Sequence, residues 1–338
     1  MVKVAVIGLG KMGISHCAIL GAHPDVELVA VCDPDSLLQS AFKKLTKTPC
    51  YTDYKVMIEE KRPDAVYVVT PTKLHAQMVI YAMEHGCHVF CEKPFSLTYE
   101  EGGKMVETAK RLNRVNQVGY HNRFIGTFNE AKRLISIGAI GKPFHFMGEA
   151  YGPVVLKKES RTWRSDKKAG GGCLEDYAAH VLNLINYVMG SPIVDCAGTS
   201  MPTIFSSEVD DAVYSTLKLQ DNTKGQLSVC WSDDTVRKMT TSIKVEGDGG
   251  KLFADATTLK IYVKENNEVE HLEKGWNVKH LTDLTPQVFF NLRGEEYSAE
   301  TDYFIKHIES GITESKNSFE SALQTDTIIN KLREDINK

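Results

Sequence analysis

The sequence predicts an α/β N-terminal domain built on a doubly wound parallel sheet, followed by an α+β C-terminal domain with an open, mainly antiparallel sheet. Three observations carry that prediction. A β-branched run at residues 2–7 feeds directly into Gly8-x-Gly10-x-x-Gly13. Short apolar runs then alternate with helical stretches as far as about residue 120, the pattern of a parallel sheet with helices on both faces. Beyond about residue 190, apolar runs follow one another without intervening helices, which calls for antiparallel pairing. The expected division is residues 1–122 and 123–338.

Bulk composition narrows the function classes. A chain of 338 residues accommodates two domains with separate cores, and 42% apolar with 25% charged residues is ordinary for a globular protein. A formal charge of −4 gives no basic field for a phosphodiester polymer, so no nucleic-acid partner is expected. No apolar run approaches the ~20 residues of a membrane span. Met1-Val2-Lys3 leads straight into the first strand without room for a cleavable leader. The expectation is a cytoplasmic protein with no membrane partner.

Of eight cysteines, Cys32, Cys87, Cys91, Cys196 and Cys230 lie in or beside apolar strand-like runs, where cysteine acts as a small buried hydrophobe. His88 alternates away from Cys87 and Cys91 along its strand, so no metal is expected there.

Each glycine of the N-terminal motif has a mechanical role. Gly8 permits the tight turn, Gly10 removes a side chain that would block a phosphate, and Gly13 lets helix pack on strand. The helix that follows, with Lys11 and Met12 in its first turn, aims unpaired N–H groups and a positive dipole end at an anion. It runs to about residue 21, and a strand at 26–32 ends in Asp33. An acid roughly twenty residues beyond the third glycine is placed to bond the ribose hydroxyls of a dinucleotide. The competing reading of Asp33 is a turn residue in Asp33-Pro34-Asp35. No Arg or Lys directly follows Asp33, which favours NAD over NADP, with Lys43 or Lys44 leaving a route to NADP.

Further strands are expected at 64–70, 87–91 and 115–120, with helices at 74–85 and 98–112. Ligands of such sheets sit outside the carboxyl ends of the strands. That singles out Thr70-Pro71, Glu92-Lys93-Pro94 and Tyr120-His121-Asn122-Arg123. An ammonium at Lys93 can polarise a hydroxyl or carbonyl oxygen, or relay a proton. A solvated loop lysine is the alternative. Lys93-Pro94 is also a candidate cis peptide.

The glycine motif, Thr70-Pro71 with His75 following, and Glu92-Lys93-Pro94 together resemble the glucose–fructose oxidoreductase/inositol dehydrogenase/rhizopine-catabolism (Gfo/Idh/MocA) family. The resemblance implies a nicotinamide-dependent oxidoreductase acting on a sugar, polyol or related hydroxyl compound. It implies that Thr70, Pro71, His75 and Glu92 serve the cofactor site, with Lys93 beside the nicotinamide in the proton-transfer site. Residues 119–124 match the family segment whose Asn and Arg, here Asn122 and Arg123, commonly face the substrate.

The remaining chain opens with a helix near 128–137, a strand at 143–151, and a polar loop over 151–172. That loop contains Trp163-Arg164 and the triple glycine Gly170-Gly171-Gly172. Triple glycine reads either as flexibility or as close approach of backbone to a flat ligand. In the helix at 174–189, steps of about 100° gather Leu174, Ala178, Val181, Leu182, Ile185 and Met189 on one side. Asp176, His180 and Asn183 form a row on the other. A solvent-facing row looks the same. The preceding loop and an acid–imidazole pair four residues apart point instead to chemistry, because a carboxylate one turn away can orient a histidine.

The family carries Gly-Gly-Gly…Asp…His at this point, matched by Gly170–Gly172, Asp176 and His180. The resemblance implies that Lys93, Asp176 and His180 converge on the substrate hydroxyl. His180 is the first choice for general acid/base, oriented by Asp176, with Lys93 holding the oxygen, and the reverse assignment stays open. Cys173, Glu175 and Ala178 depart from the motif. Trp163 reads as a flat substrate wall and Arg164 as a binder of a carboxylate or phosphate, with a structural Trp-Arg stack as the alternative.

Strands are expected at 193–201, 212–219, 225–232, 240–246, 251–255 and 259–263, and closing helices at 294–311 and 317–331. Leu227, Val229 and Trp231 alternate with Gln226, Ser228 and Cys230, the mark of a sheet with unlike faces. The resemblance implies that the open face builds a homodimer or homotetramer, with Trp231 used there. The expected function is hydride transfer between NAD(P) and a hydroxyl or ketone carbon of a sugar, polyol, inositol or derivative. The alternatives are a non-catalytic ligand sensor on this scaffold and a glycoside-cleaving enzyme with tightly bound NAD.

Overall fold

The computed structural model describes residues 1–158, 163–167, 170–288 and 290–336. These form two compact units. The first comprises Met1–His121 and Gln287–Leu323; the second comprises Asn122–Pro286 and the residues from Gln324 onward. The range 123–338 expected for a second domain thus lacks one feature of the chain: residues 287–323 return to the first unit. An amphipathic helix carries no local mark of which core it will cover, so this return has no signal in the sequence.

The first unit holds six parallel strands in the order β3-β2-β1-β4-β5-β6. They are β1 (Val2–Ile7), β2 (Val26–Cys32), β3 (Cys50–Tyr51), β4 (Ala65–Val68), β5 (His88–Cys91) and β6 (Asn116–Val118). Strands β1, β4 and β5 are almost wholly buried, as helices on both faces of a parallel sheet require. The crossovers are α1 (Lys11–Ala22), α2 (Ser36–Thr46), α3 (Tyr54–Lys61), α4 (His75–Glu84) and α5 (Tyr99–Arg111). Asp35 and Asp53 cap α2 and α3 by accepting first-turn N–H groups. From the returning segment, α8 (Glu295–Ser310) packs on β1 and α1, burying Phe304 and Ile305 in the sheet's core.

Strand order reverses between β1 and β4, the switch point at which such sheets bind ligands. Every segment singled out in the first 121 residues lies at a strand's carboxyl end on this sheet.

The second unit is an eight-stranded sheet in the order β14-β13-β12-β11-β7-β10-β9-β8. It comprises β7 (Pro143–Tyr151), β8 (Ile193–Ser200), β9 (Ala212–Leu219), β10 (Lys224–Cys230), β11 (Thr240–Gly247), β12 (Gly250–Asp255), β13 (Thr258–Val263) and β14 (Gly275–His280). Every pair is antiparallel except β10 with β7. Helices α6 (Gly126–Ser136) and α7 (Ala179–Met189) cover one face. A Cβ on Gly148 of β7 would come 2.6 Å from Val181 Cγ1, so a bare backbone there lets α7 close on the sheet.

Two expectations are corrected here. Strand β14 was not anticipated. Trp231, expected on the open face, is fully buried, and its Nε1 donates to Asp211 Oδ1 at 2.7 Å. It continues the buried face of β10 formed by Leu227 and Val229, the side covered by helices rather than the open one. The large residues that do stand exposed include Trp276 and Val278 of β14 and Tyr214 of β9.

All eight cysteines are free thiols. His88 Nδ1 accepts the Val115 N–H at 2.9 Å, and among the described residues no group of three or more His, Cys, Asp or Glu could hold a metal. Among the same residues no helix is long and apolar enough to cross a membrane.

Candidate active site

In the first unit the glycine turn has the shape its composition demands. Gly8 adopts φ +101°, and a Cβ on it would lie 2.3 Å from the Val69 carbonyl oxygen. A Cβ on Gly13 would fall 1.9 Å from the Gly8 carbonyl oxygen, so α1 can approach the turn only with glycine there. At Gly10 a Cβ would meet nothing within 4 Å. That open space lies at the N-terminus of α1, whose first turn has no side-chain cap. Orphan N–H groups facing a clear space are what a pyrophosphate fits. The Met12 side chain packs partly on the core and Lys11 is exposed, so their role toward an anion would be played by backbone.

Asp33 ends β2 with both oxygens engaged by backbone. Oδ2 accepts from Leu9 N at 2.7 Å and Oδ1 from Asp35 N at 2.9 Å. The acid and turn readings of this residue therefore coexist, since a carboxylate keeps further lone pairs for a ribose. Lys43 and Lys44 occupy the last turn of α2. That is roughly 12 Å along the helix from its start beside Asp33.

The ends of β4 and β5 are tied together by His75. Its buried ring places Nε2 2.9 Å from the Thr70 carbonyl and Nδ1 3.3 Å from the Phe95 carbonyl. Burial lowers its pKa, against the pull of those carbonyls. Pro71 precedes a short 3₁₀ turn (Thr72–Leu74) that leads into α4. Between these anchors Lys93-Pro94 is cis, and Lys93 is half-buried.

Glu92 is buried beside it, with Oε1 2.7 Å from His16 Nε2 and Oε2 accepting the Lys93 N–H at 3.0 Å. Burial pushes the Glu92 pKa up, but the His16 bond and the His16 and Lys93 charges outweigh it and hold the carboxyl below its usual range. His121, stacked on Tyr297 at 4.8 Å, is driven down to about 4, chiefly by burial.

In the second unit Asn122 and Arg123 share a buried 3₁₀ turn (His121–Phe124) that begins on the last residue of the first. Arg123 Nε donates to Asn183 Oδ1 at 2.6 Å, and its guanidinium lies 5.1 Å from the Tyr187 ring centroid. Asn122 Nδ2 is buried with no partner among the described residues.

Leu174–Ala178 is a π-helical turn running into α7, so uniform 100° steps hold only from Ala179 onward. Asp176, His180 and Asn183 are nevertheless all inside, at 3%, 3% and 1% exposure, which eliminates the solvent-facing reading. Asn183 is taken up by Arg123 and, through Nδ2, by Thr325 Oγ1 at 3.1 Å. Asp176 Oδ2 accepts from Arg164 Nε at 2.7 Å. The Trp163 side chain and residues 168–169, just before the triple glycine, lie outside the described residues.

Of the departures from the motif, Cys173 is buried and burial pushes its thiol well up. Glu175 is buried against Arg333, yet burial outweighs that cation and raises its pKa to about 7. Sequence reading missed His16, Arg333 and the Arg164–Asp176 pairing. Only His16 had a local signal, a histidine on the buried side of α1 three residues past Gly13.

Residues 2–120 match the model of the oxidoreductase family with the NAD-binding Rossmann fold, and residues 128–253 match the Gfo/Idh/MocA C-terminal domain. The chain belongs to the Gfo/Idh/MocA oxidoreductase family. Among its relatives are D-glucoside 3-dehydrogenase of Escherichia coli, 27% identical over 93% of this chain and 95% of that one, and myo-inositol 2-dehydrogenase of Thermotoga maritima, 28% identical over 91% and 89%. Levoglucosan dehydrogenase in complex with NADH shares the fold, with a TM-score of 0.88 at 23% identity over 99% of this chain and 97% of that one. As in other Gfo/Idh/MocA proteins, the N-terminal unit here is a NAD-binding Rossmann fold.

Proposed function

We propose that this protein is an NAD-dependent dehydrogenase acting on a neutral, hydroxyl-rich compound: a sugar, a polyol or an inositol. NAD, when bound, supplies the hydride acceptor. The chain's own residues bind the cofactor, hold the substrate oxygen and move its proton. The glycine turn with the first-turn amides of Lys11, Met12 and Gly13 takes the pyrophosphate, and Asp33 takes the ribose hydroxyls. Thr70, Pro71, His75 and Glu92 shape the strand ends on which the nicotinamide lies.

Lys93 holds the substrate oxygen, and His180 takes its proton as the carbon–oxygen bond becomes double. Asp176 stabilises the imidazolium that results. Asn122 Nδ2 offers the substrate a buried donor with no other partner among the described residues. Arg123 positions Asn183 rather than substrate, and Trp163 is assigned to the substrate wall.

The observation that carries this reading is the burial of Asp176 and His180 in a chain of this family. The Arg164–Asp176 pair supports a neutral substrate, because the guanidinium already has a carboxylate partner. The dehydrogenase relatives named for a glucoside and an inositol support the substrate class. The reading extends to a homodimer or homotetramer built on the open sheet face and to a cytoplasmic location, the latter supported by the free thiols.

The test is NADH formation with a panel of glucosides, aldoses, polyols and inositols, preceded by a thermal-shift screen with NAD present. Lys93→Ala and His180→Ala should each lower kcat by at least a hundredfold. A ligand that stabilises the protein but never yields NADH identifies a sensor. NAD that co-purifies and shows no net reduction identifies transient oxidation. Unaltered turnover in Lys93→Ala removes Lys93 from the chemistry.

A further inference from the structure

We infer that His16 is a positioning residue for Lys93, acting through the carboxylate of Glu92. The inference rests on the role proposed above for Lys93, and on contacts that lie wholly within the first unit.

His16 sits on the buried side of α1, one turn beyond the glycine motif, and is inaccessible to solvent. Its ring packs edge-on against Phe90 at 5.1 Å and tilted against Tyr67 at 5.5 Å. Those contacts account for an aromatic ring at this position, but not for a histidine. Its Nε2 lies 2.7 Å from Glu92 Oε1, while Nδ1 has no partner among the described residues. The hydrogen is therefore assigned to Nε2, which donates to the carboxylate.

Glu92 passes the constraint on. Oε2 accepts the Lys93 N–H at 3.0 Å, so one carboxylate joins α1 to the first peptide beyond β5. A charge-assisted bond in a buried site is stronger and more sharply oriented than a neutral one. Gly119 completes the slot, because a Cβ there would stand 2.9 Å from Glu92 Oε2. On the far side of Pro94, His75 faces the Phe95 carbonyl. Lys93-Pro94 is thus gripped at the N–H before it and the carbonyl after it. Fixing the Lys93 amide fixes the direction in which its side chain leaves the backbone. The charged and titratable groups that interact with the Glu92 carboxylate include His16, Lys93, His75, His121, Tyr297 and Glu300.

Two variants of His16 separate its ring from its hydrogen bond. His16→Phe keeps an aromatic against Phe90 and Tyr67 and loses the donor, whereas His16→Gln keeps a donor and loses the ring. The first readout is hydrogen–deuterium exchange of the peptide spanning Lys93 in the full-length protein, which needs no substrate. His16→Phe should speed exchange at Glu92–Lys93 at least tenfold, with peptides of α1 and β5 unchanged, and His16→Gln should restore it to within about threefold of the parent. Gly119→Ala, which crowds the carboxylate while leaving His16 in place, should speed exchange at the same peptide and serves if His16→Phe does not fold.

The second readout is turnover on whichever panel sugar reacts. His16→Phe should lower kcat at least tenfold with KM and NAD affinity within about threefold. Parent-like exchange in both His16→Phe and Gly119→Ala overturns the inference. So does equal damage by Phe and Gln, which would make packing the whole role. If Lys93→Ala leaves turnover intact, the role proposed for Lys93 fails while the exchange result still decides what His16 holds. If Lys93→Ala abolishes turnover and His16→Phe does not, only the positioning role fails.

Discussion

Asp33 Oδ2 accepts the Leu9 N–H at 2.7 Å, so the acid that ends β2 also pins the middle of the glycine turn. Its two duties can be separated. Asp33→Asn keeps an acceptor for Leu9 but loses the charge that a ribose diol favours. It should weaken NAD binding about tenfold, the scale of one charge-assisted hydrogen bond, with the melting temperature nearly unchanged. Asp33→Ala strands the Leu9 N–H as well, and should add a drop of several degrees in the apo protein. Calorimetric titration with NAD and NADP alongside apo melting curves checks both effects. Tighter NADP than NAD in the parent would remove the ribose role.

The glycines of the turn should separate binding from folding in the same way. Gly10→Ala places its methyl in open space, so the apo protein should melt like the parent while NAD affinity falls by a hundredfold or more. Gly13→Ala drives a methyl to 1.9 Å from the Gly8 carbonyl oxygen. Overpacking of this kind costs about 1–3 kcal/mol or more, and the variant should be destabilised before any cofactor is added. Urea melts with and without NAD distinguish the two.

Two titratable groups should tilt the pH dependence of stability in opposite directions. The folded chain keeps the proton on Glu175 to about pH 7, against a usual value of 4.5, chiefly because burial outweighs the Arg333 charge. Between those values the folded state binds the extra proton, so this contribution is complete below about pH 4.5 and lost as pH rises through 7. Glu175→Gln removes it, and relative to the parent the variant should gain on the order of 2–3 kcal/mol between pH 4.5 and 8.

His121 runs the other way. Burial lowers its pKa from 6.5 to about 4, so the unfolded chain binds the extra proton in between. Its contribution is complete above pH 6.5 and disappears as pH falls toward 4. His121→Phe keeps the stack on Tyr297 and should gain stability relative to the parent only on the acid side, by about 1–2 kcal/mol. Urea melts from pH 4.5 to 8 read both slopes, and parallel curves for parent and variant would refute either assignment.

Local backbone demands explain why so much of the first unit was legible. Gly8, Gly13 and Asp33 answer to a turn that only certain residues can make, and buried parallel strands announce themselves as apolar runs. Asp35 and Asp53 were equally local signals for α2 and α3, although neither helix was drawn from them. The pairings that organise the site are different in kind. His16 and Glu92 stand 76 residues apart, and Asn183 meets Thr325 across 142. No periodicity marks such partners. The π-helical turn at Leu174–Ala178 also breaks the regular spacing that defines the Asp176–His180 row, while all three members of the row are buried.

The two tryptophans of the eight-stranded sheet should respond to mutation in contrasting ways. Trp231 is fully buried and bonded to Asp211, whose carboxylate also accepts from the N–H groups of Ile204, Phe205 and Ser206. Trp231→Phe deletes one buried donor and part of a ring, and should cost about 2–3 kcal/mol with the assembly state unchanged. Trp276 is 57% exposed on β14, opposite Tyr262 of β13 and two residues from Val278. Trp276→Glu should leave folding intact, because its side chain is not in the core. If the open face forms the proposed oligomer, the same change places a charge in that apolar patch and should shift the protein to monomer. Sedimentation velocity at matched concentrations reads the difference. A Trp276→Glu variant that sediments like the parent would move the contact surface elsewhere on the molecule.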